Sequence, residues 1–338
     1  MKKTIFSLIA GLTLILGAAS CSESGDEPIP APVVNPDGTQ TFEINALTAE
    51  DFRARSTPAA GEYGDGSLAT VLDWAIYEGE SKVPFKKSTD TGAPQATVTA
   101  NGFKLSVNLD PSKTYKIFLF AHSSTQGRAP YTVDYSSTEH YYDITMNHHN
   151  DGAPDRNDAF AGLFDLSKDK RSFTLYRPLT QIMICTDEDL SAFDLTKLRT
   201  EIKLVNTSSG NQPLALTGYN DVDKGVFGST SIGSYYTTQL ASIHNGKTMN
   251  YNSRKLKTLA LDYMFNVATL PAGTAVQITF KNGTETLGTK IFQPSRLDYA
   301  TRYILIPKPG QSLVGNSDEI TITKFTGFPA TDKFTELD

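Results

Sequence analysis

The sequence predicts an all-β protein built as two β-sandwiches in series, and three observations carry that expectation. Short segments rich in β-branched and aromatic residues follow one another from about residue 41 almost to the C-terminus, with clusters of Gly, Pro, Asn and Asp between them. That is the pattern of strands joined by hairpins or Greek-key links. Helical periodicity is scarce, and residues 189–200 (DLSAFDLTKLRT) are the best short candidate. The 338 residues allow about two domains, each with a sizeable core.

In the first half the expected strands are Thr70–Glu78, Gly102–Leu109, Tyr115–His122, Arg171–Tyr176 and Gln181–Thr186. Strict alternation in Gly102–Leu109 puts Phe103, Leu105, Val107 and Leu109 on one face, so this strand is half-buried. Between Ser123 and Pro154 the chain is polar and punctuated, and it reads as a long loop with at most one short strand. The second half offers Glu201–Asn206, Pro213–Tyr219, Thr258–Asn266, Ala275–Gln293 and Arg302–Pro307, with Asn282-Gly283 marking a hairpin inside Ala275–Gln293. After Pro309 a tail carries Ile320 and Ile322 in alternation with threonines. A strand arriving after the last sandwich is complete needs a partner.

The N-terminus has another character. Lys2 and Lys3 precede an apolar run from Ile5 to Leu16 and the small residues Gly17-Ala18-Ala19-Ser20, the layout of a secretory signal peptide. The run falls short of the roughly 20 residues that span a bilayer. Because it ends on Cys21, the segment resembles a bacterial lipoprotein signal. That resemblance implies that residues 1–20 are removed and that Cys21 is acylated, each buried CH₂ adding about 0.8 kcal/mol of membrane affinity. Residues 22–27 (SESGDE) are acidic and lack large apolar side chains. They resemble the signal that sends lipoproteins of the Bacteroides and Porphyromonas group to the outer face of the outer membrane. Residues 21–40 form an acidic, Pro-rich tether that cannot fold alone.

The chain offers little to catalysis. A net charge of −6 argues against nucleic acid as a partner. Beyond Cys21, Cys185 is the sole thiol; it has no intramolecular disulfide partner and lies in an apolar strand, where a thiol behaves as an inert hydrophobe. His148, His149, Asp151, Asp155 and Asp158 cluster in sequence. Adjacent histidines on an extended chain point to opposite faces, however, and the aspartates lack the spacing of a calcium loop. Asp187, Glu188 and Asp189 read as solvated turn residues. Nucleophile-elbow, zinc-protease, Walker and dinucleotide motifs are all missing. The expectation is no metal, no cofactor, no catalytic residue and no enzyme. Trp74 and Tyr141-Tyr142 leave a second reading open, a surface glycan-binding lipoprotein, although Trp74 beside Ala75 and Ile76 reads more readily as core.

Asn157–Asp189 carries the most informative resemblance. Asp158-Ala159-Phe160, the strand Phe173–Leu175, Arg177-Pro178 and Gln181 resemble the hinge of fimbrillin-like proteins of Bacteroides-type bacteria, the FimA/Mfa-type fimbrial subunit lipoproteins. Residues 64–79 and 214–222 resemble further parts of that family. The likeness spans roughly Phe42 to Pro309. It implies two transthyretin-like Greek-key sandwiches at 41–176 and 177–310, a tail at 311–338, and a role as shaft, anchor or tip of cell-surface fimbriae that support adhesion. It also implies assembly with other fimbrial subunits, as a homo- or hetero-polymer, through strand exchange triggered by an arginine-specific or trypsin-like protease.

Mapped onto this chain, the removable strand would lie in residues 41–55, with cleavage after Arg53 or Arg55. Cys21 would hold the precursor to the outer membrane, or anchor a terminal subunit permanently if no cut occurs. The tail, with Ile320, Ile322, Phe325 and Phe328, would be a donor strand for a neighbouring subunit, unless it pairs as an edge within its own chain.

Overall fold

The described residues of the computed structural model run from 35 to 336, apart from 49–67, 101, 125–129, 147–156, 168, 215, 220–228, 233–235, 245–247, 252–253, 266–269, 295–296, 298–300, 308–319 and 327–334. The fold is all-β. The first half contains β1 (Gln40–Thr48), β2 (Ala69–Glu78), β3 (Lys86–Lys87), β4 (Thr97–Thr99), β5 (Gly102–Leu109), β6 (Tyr115–Ser123), β7 (Tyr131–Asp134), β8 (Asp143–Met146), β9 (Ala159–Leu166) and β10 (Ser172–Leu175). The second half contains β11 (Leu179–Thr186), β12 (Leu198–Asn206), β13 (Gln212–Pro213), β14 (Leu216–Tyr219), β15 (Ser229–Ile232), β16 (Tyr236–Leu240), β17 (Thr248–Tyr251), β18 (Arg254–Phe265), β19 (Thr274–Asn282), β20 (Glu285–Phe292), β21 (Thr301–Pro307), β22 (Ile320–Thr326) and β23 (Thr335–Glu336).

Two four-stranded sheets, in the orders β10-β1-β5-β4 and β3-β2-β6-β9, face each other. Their inner faces supply one core, with Phe42, Ile44 and Ala46 from β1, Phe103, Leu105 and Val107 from β5, and Trp74 and Ile76 from β2. The alternation expected for Gly102–Leu109 is present along β5. Each large apolar side chain so buried contributes about 1.5–3 kcal/mol.

The sheet containing β6 is covered on both sides, and every β6 residue except Lys116 is buried. The opposite face of β6 presents Phe118 and Phe120 to a second core that includes Tyr131, Tyr135, Tyr141 and Tyr142. Tyr142 stacks on Phe118 with ring centroids 3.7 Å apart, and Tyr141 meets Tyr77 edge-on at 4.9 Å. The expectation of a long loop over Ser123–Pro154 is therefore corrected. Among its described residues β7 and β8 form a hairpin from Tyr131↔Met146 to Asp134↔Asp143. Tyr131, Ile144 and Met146 supply its buried face, and the Tyr131 phenol donates to the Asn157 carbonyl, as the Tyr77 phenol of β2 does to that of Tyr141.

The same core continues into the second half. A small sheet, β14-β15-β8-β7, joins strands of both halves through the parallel pair β15 and β8. A six-stranded sheet runs β17-β18-β11-β21-β22-β23, and another runs β13-β12-β19-β20 with β16 also paired to β12. β11 is buried at every position, as an interior strand covered on both faces should be. β19 and β20 form the expected hairpin, with Gly283 at φ 62° in the turn. The short helix considered at 189–200 is absent. Asp194 Oδ1 accepts from the backbone N–H of Thr196 at 3.0 Å and its hydroxyl at 2.6 Å, a local turn that competes with helix, and β12 begins at Leu198. Residues Val33–Asp338 form one compact unit.

Candidate functional site

β1 lies inside its sheet, bonded on both edges. It runs antiparallel to β5 from Gln40↔Leu109 to Leu47↔Gly102, and parallel to β10 from Asn45↔Ser172 to Thr48↔Leu175. The backbone N–H of Asn45 extends this second ladder to the Arg171 carbonyl at 2.8 Å. On the inner face Phe42 opposes Val107, Ile44 opposes Leu105, and Ala46 sits between Phe103 and Phe173. The outer face is polar. Thr41 donates to Asn108 at 2.9 Å, Asn45 to Ser172 at 3.3 Å, and Glu43 pairs with Lys104 at 3.0 Å. Those exposed contacts add little stability. The apolar face and the ladders hold the strand.

Two neighbouring residues fit β1 closely. Gly102 has φ 151°, and a Cβ placed there would come within 2.0 Å of the Ala46 carbonyl oxygen, so only glycine allows the backbones this approach. Arg171 is buried, its guanidinium 4.9 Å from the Phe42 ring centroid. Its Nε has no hydrogen-bond partner among the described residues. No local pattern in the chain signals this contact, because the Phe42 ring that Arg171 covers lies far away in sequence.

The motif residues of Asn157–Asp189 converge at the passage from β10 to β11. Arg177 donates from Nε and Nη2 to the two oxygens of Asp158, each at 2.5 Å, and both side chains are buried. The guanidinium also lies 4.8 Å from the Phe160 ring centroid. Asn157 donates to Asp262 at 3.2 Å, and Arg302 donates to Gln181 Oε1. These buried pairs link residues at β9 with β18 and β11 with β21.

The remaining candidates are placed as follows. Trp74, Tyr141 and Tyr142 are buried, so they offer no exposed stacking platform. Cys185 is fully buried, and desolvation pushes its thiol up to about 12. Asp187 accepts two 2.6 Å hydrogen bonds from Arg254, which hold its carboxyl below the usual range. Among the described residues no group of His, Cys, Asp and Glu could hold a metal, and no helix is long and apolar enough to cross a membrane. Cys21, Arg53, Arg55, His148, His149, Asp151, Asp155 and Phe328 lie outside the described residues. Ile320, Ile322 and Phe325 fall in β22, whose backbone pairs antiparallel with β21 of the same chain, from Thr301↔Thr326 to Pro307↔Ile320.

The chain is similar to several solved structures. One is the fimbrial anchor protein Mfa2 of Porphyromonas gingivalis, with 9% identity and a TM-score of 0.36, covering 84% of this chain and 96% of that one. A second is a candidate cell adhesion protein of Bacteroides uniformis, with 11% identity and a TM-score of 0.41, covering 86% and 99%. A third is a candidate adhesin of Bacteroides thetaiotaomicron, with 9% identity and a TM-score of 0.45, covering 88% and 97%. No curated protein matches. Residues 36–292, from just before β1 to the end of β20, match the Family of unknown function (DUF6562), and the chain belongs to that family.

Proposed function

We propose that this chain is a structural subunit of cell-surface fimbriae, exported as a lipoprotein on Cys21 and assembled by strand exchange at the β1 groove. The observation that carries the reading is the position of β1. It is an interior strand, bonded to β5 and β10, and both arginines of the 49–67 segment follow it in sequence. One cut after Arg53 or Arg55 would leave β1 held by noncovalent contacts alone and detach the lipidated N-terminus from the rest. A vacated groove would expose the unpaired backbone of β5 and β10 above an apolar floor, the arrangement that recruits an added strand.

Release of β1 is costly without a replacement, since Phe42 and Ile44 each contribute about 1.5–3 kcal/mol. The incoming strand therefore drives the exchange. β22 can donate only after leaving β21. The role is non-catalytic, and the buried state of Trp74, Tyr141 and Tyr142 disfavours glycan stacking at those residues. The test is the double variant Arg53→Ala with Arg55→Ala, expressed in the native bacterium. Folding should persist while oligomer ladders vanish. Ladders of normal length would overturn the reading.

A further inference from the structure

Resting on the strand-exchange reading above, we propose that the β1 groove selects its incoming strand by an aromatic, branched-aliphatic, small pattern at alternate positions, supplied by a chain other than a second copy of this one. Three places in the acceptor read the pattern. At the first, the buried Arg171 guanidinium lies over the Phe42 ring at 4.9 Å, and its Nε lacks a hydrogen-bond partner among the described residues. An aliphatic side chain there would remove the π-face that compensates this buried cation. At the second, Ile44 stands opposite Leu105, fully buried, where a branched aliphatic fills the space between the two sheets.

The third place is the narrowest. Ala46 has Phe103 on one side in β5 and Phe173 on the other in β10, all three buried, so an aromatic residue flanks it on each side. A larger side chain would have to displace an aromatic from a packed core. The strand cannot shift towards β5 to make room, because Gly102 already brings the two backbones into close approach.

The chain's own C-terminal strand does not meet these demands. Its aromatic residues are Phe325, Phe328 and Phe334. Read forward at alternate positions, Phe325 is followed by Gly327 and Pro329, Phe328 by Ala330 and Asp332, and Phe334 by Glu336 and Asp338. Read backward, they meet Thr323 and Thr321, Thr326 and Lys324, and Asp332 and Ala330. No register in either direction gives aromatic, branched aliphatic and small. The tail that pairs with β21 in this chain is thus a poor ligand for the groove of a second copy. Under the proposed cleavage each assembled copy has also lost residues 40–48, so the partner is a different protein with an extended segment of the β1 type.

The experiment uses the full-length chain nicked by trypsin in the 49–67 segment and challenged with fluorescent peptides, with uptake read by polarisation. The peptides are residues 40–48, the same peptide carrying Phe42→Ile, the same carrying Ala46→Leu, and residues 318–328. The 40–48 peptide should exchange in, both substituted forms should bind about tenfold more weakly or worse, and the 318–328 peptide should not enter. Equal uptake of all four would overturn the selectivity alone. Failure of the 40–48 peptide itself to enter would overturn strand exchange, and the selectivity with it.

Discussion

Asp158 and Arg177, 19 residues apart in the chain, are joined by two 2.5 Å hydrogen bonds in a site closed to solvent. The two residues frame β9 and β10, so this pair ties the start of β9 to the link between β10 and β11. Removing one member leaves the other charged and buried. Arg177→Met is expected to lose about 3–5 kcal/mol of stability in urea unfolding, and the double variant Asp158→Leu with Arg177→Met to lose less than the single one. A single variant within about 1 kcal/mol of the parent would contradict a structural role for the pair.

Gly102→Ala should act on β1 specifically. The added methyl group meets the Ala46 carbonyl at 2.0 Å, so β1 must shift or leave, at a cost of about 1–3 kcal/mol. After nicking in 49–67, the β1 fragment should dissociate faster from the variant than from the parent in size-exclusion chromatography. Equal retention would show that the groove tolerates the methyl group.

Alkaline pH should weaken the fold. Burial pushes the Cys185 thiol from its usual 9.0 to about 12, and raises the phenols of Tyr77, Tyr131 and Tyr135 above the usual 10.0. The unfolded chain sheds these protons first, so the folded chain holds more protons over that range. Their contribution is complete below pH 9.0 and is lost as the pH climbs towards 12. The melting temperature should fall progressively above pH 9.0, and a rise would contradict the assignment. The same burial predicts that Cys185 resists thiol reagents at about pH 8 until the protein unfolds.

Cys21→Ala should abolish membrane attachment. The variant is expected in the soluble periplasmic or secreted fraction, and the parent precursor with the outer membrane. An unchanged distribution would remove the lipid anchor from the account.

The legible parts of the fold were those with strong local signals. Phe103, Leu105, Val107 and Leu109 alternate without interruption, and Asn282-Gly283 marks its hairpin, so β5 and the β19–β20 turn were readable. β7 and β8 were not. Each is four residues long, with only Tyr131, Ile144 and Met146 buried, and the tyrosines around them carry hydroxyl groups that make the segment look polar. Residues 189–200 misled in the opposite way, since their leucines suggest a helical face while Asp194 turns the backbone locally. In the candidate site, a strand was expected within residues 41–55, but its neighbours were not visible. The contacts of Ala46 with Phe173 and of Phe42 with Arg171 depend on long-range pairing, which a single sequence does not encode in any local pattern. Asp158 and Arg177 stood out only as parts of a motif. Their physical reason, a buried ion pair, required the fold.

The most direct test of strand exchange is the intact mass of this chain recovered from assembled surface polymers. The account predicts a polypeptide that begins after Arg53 or Arg55, without β1 and without a lipidated Cys21. Polymers in which every copy retains residues 40–48 covalently joined to the rest of the chain would contradict it.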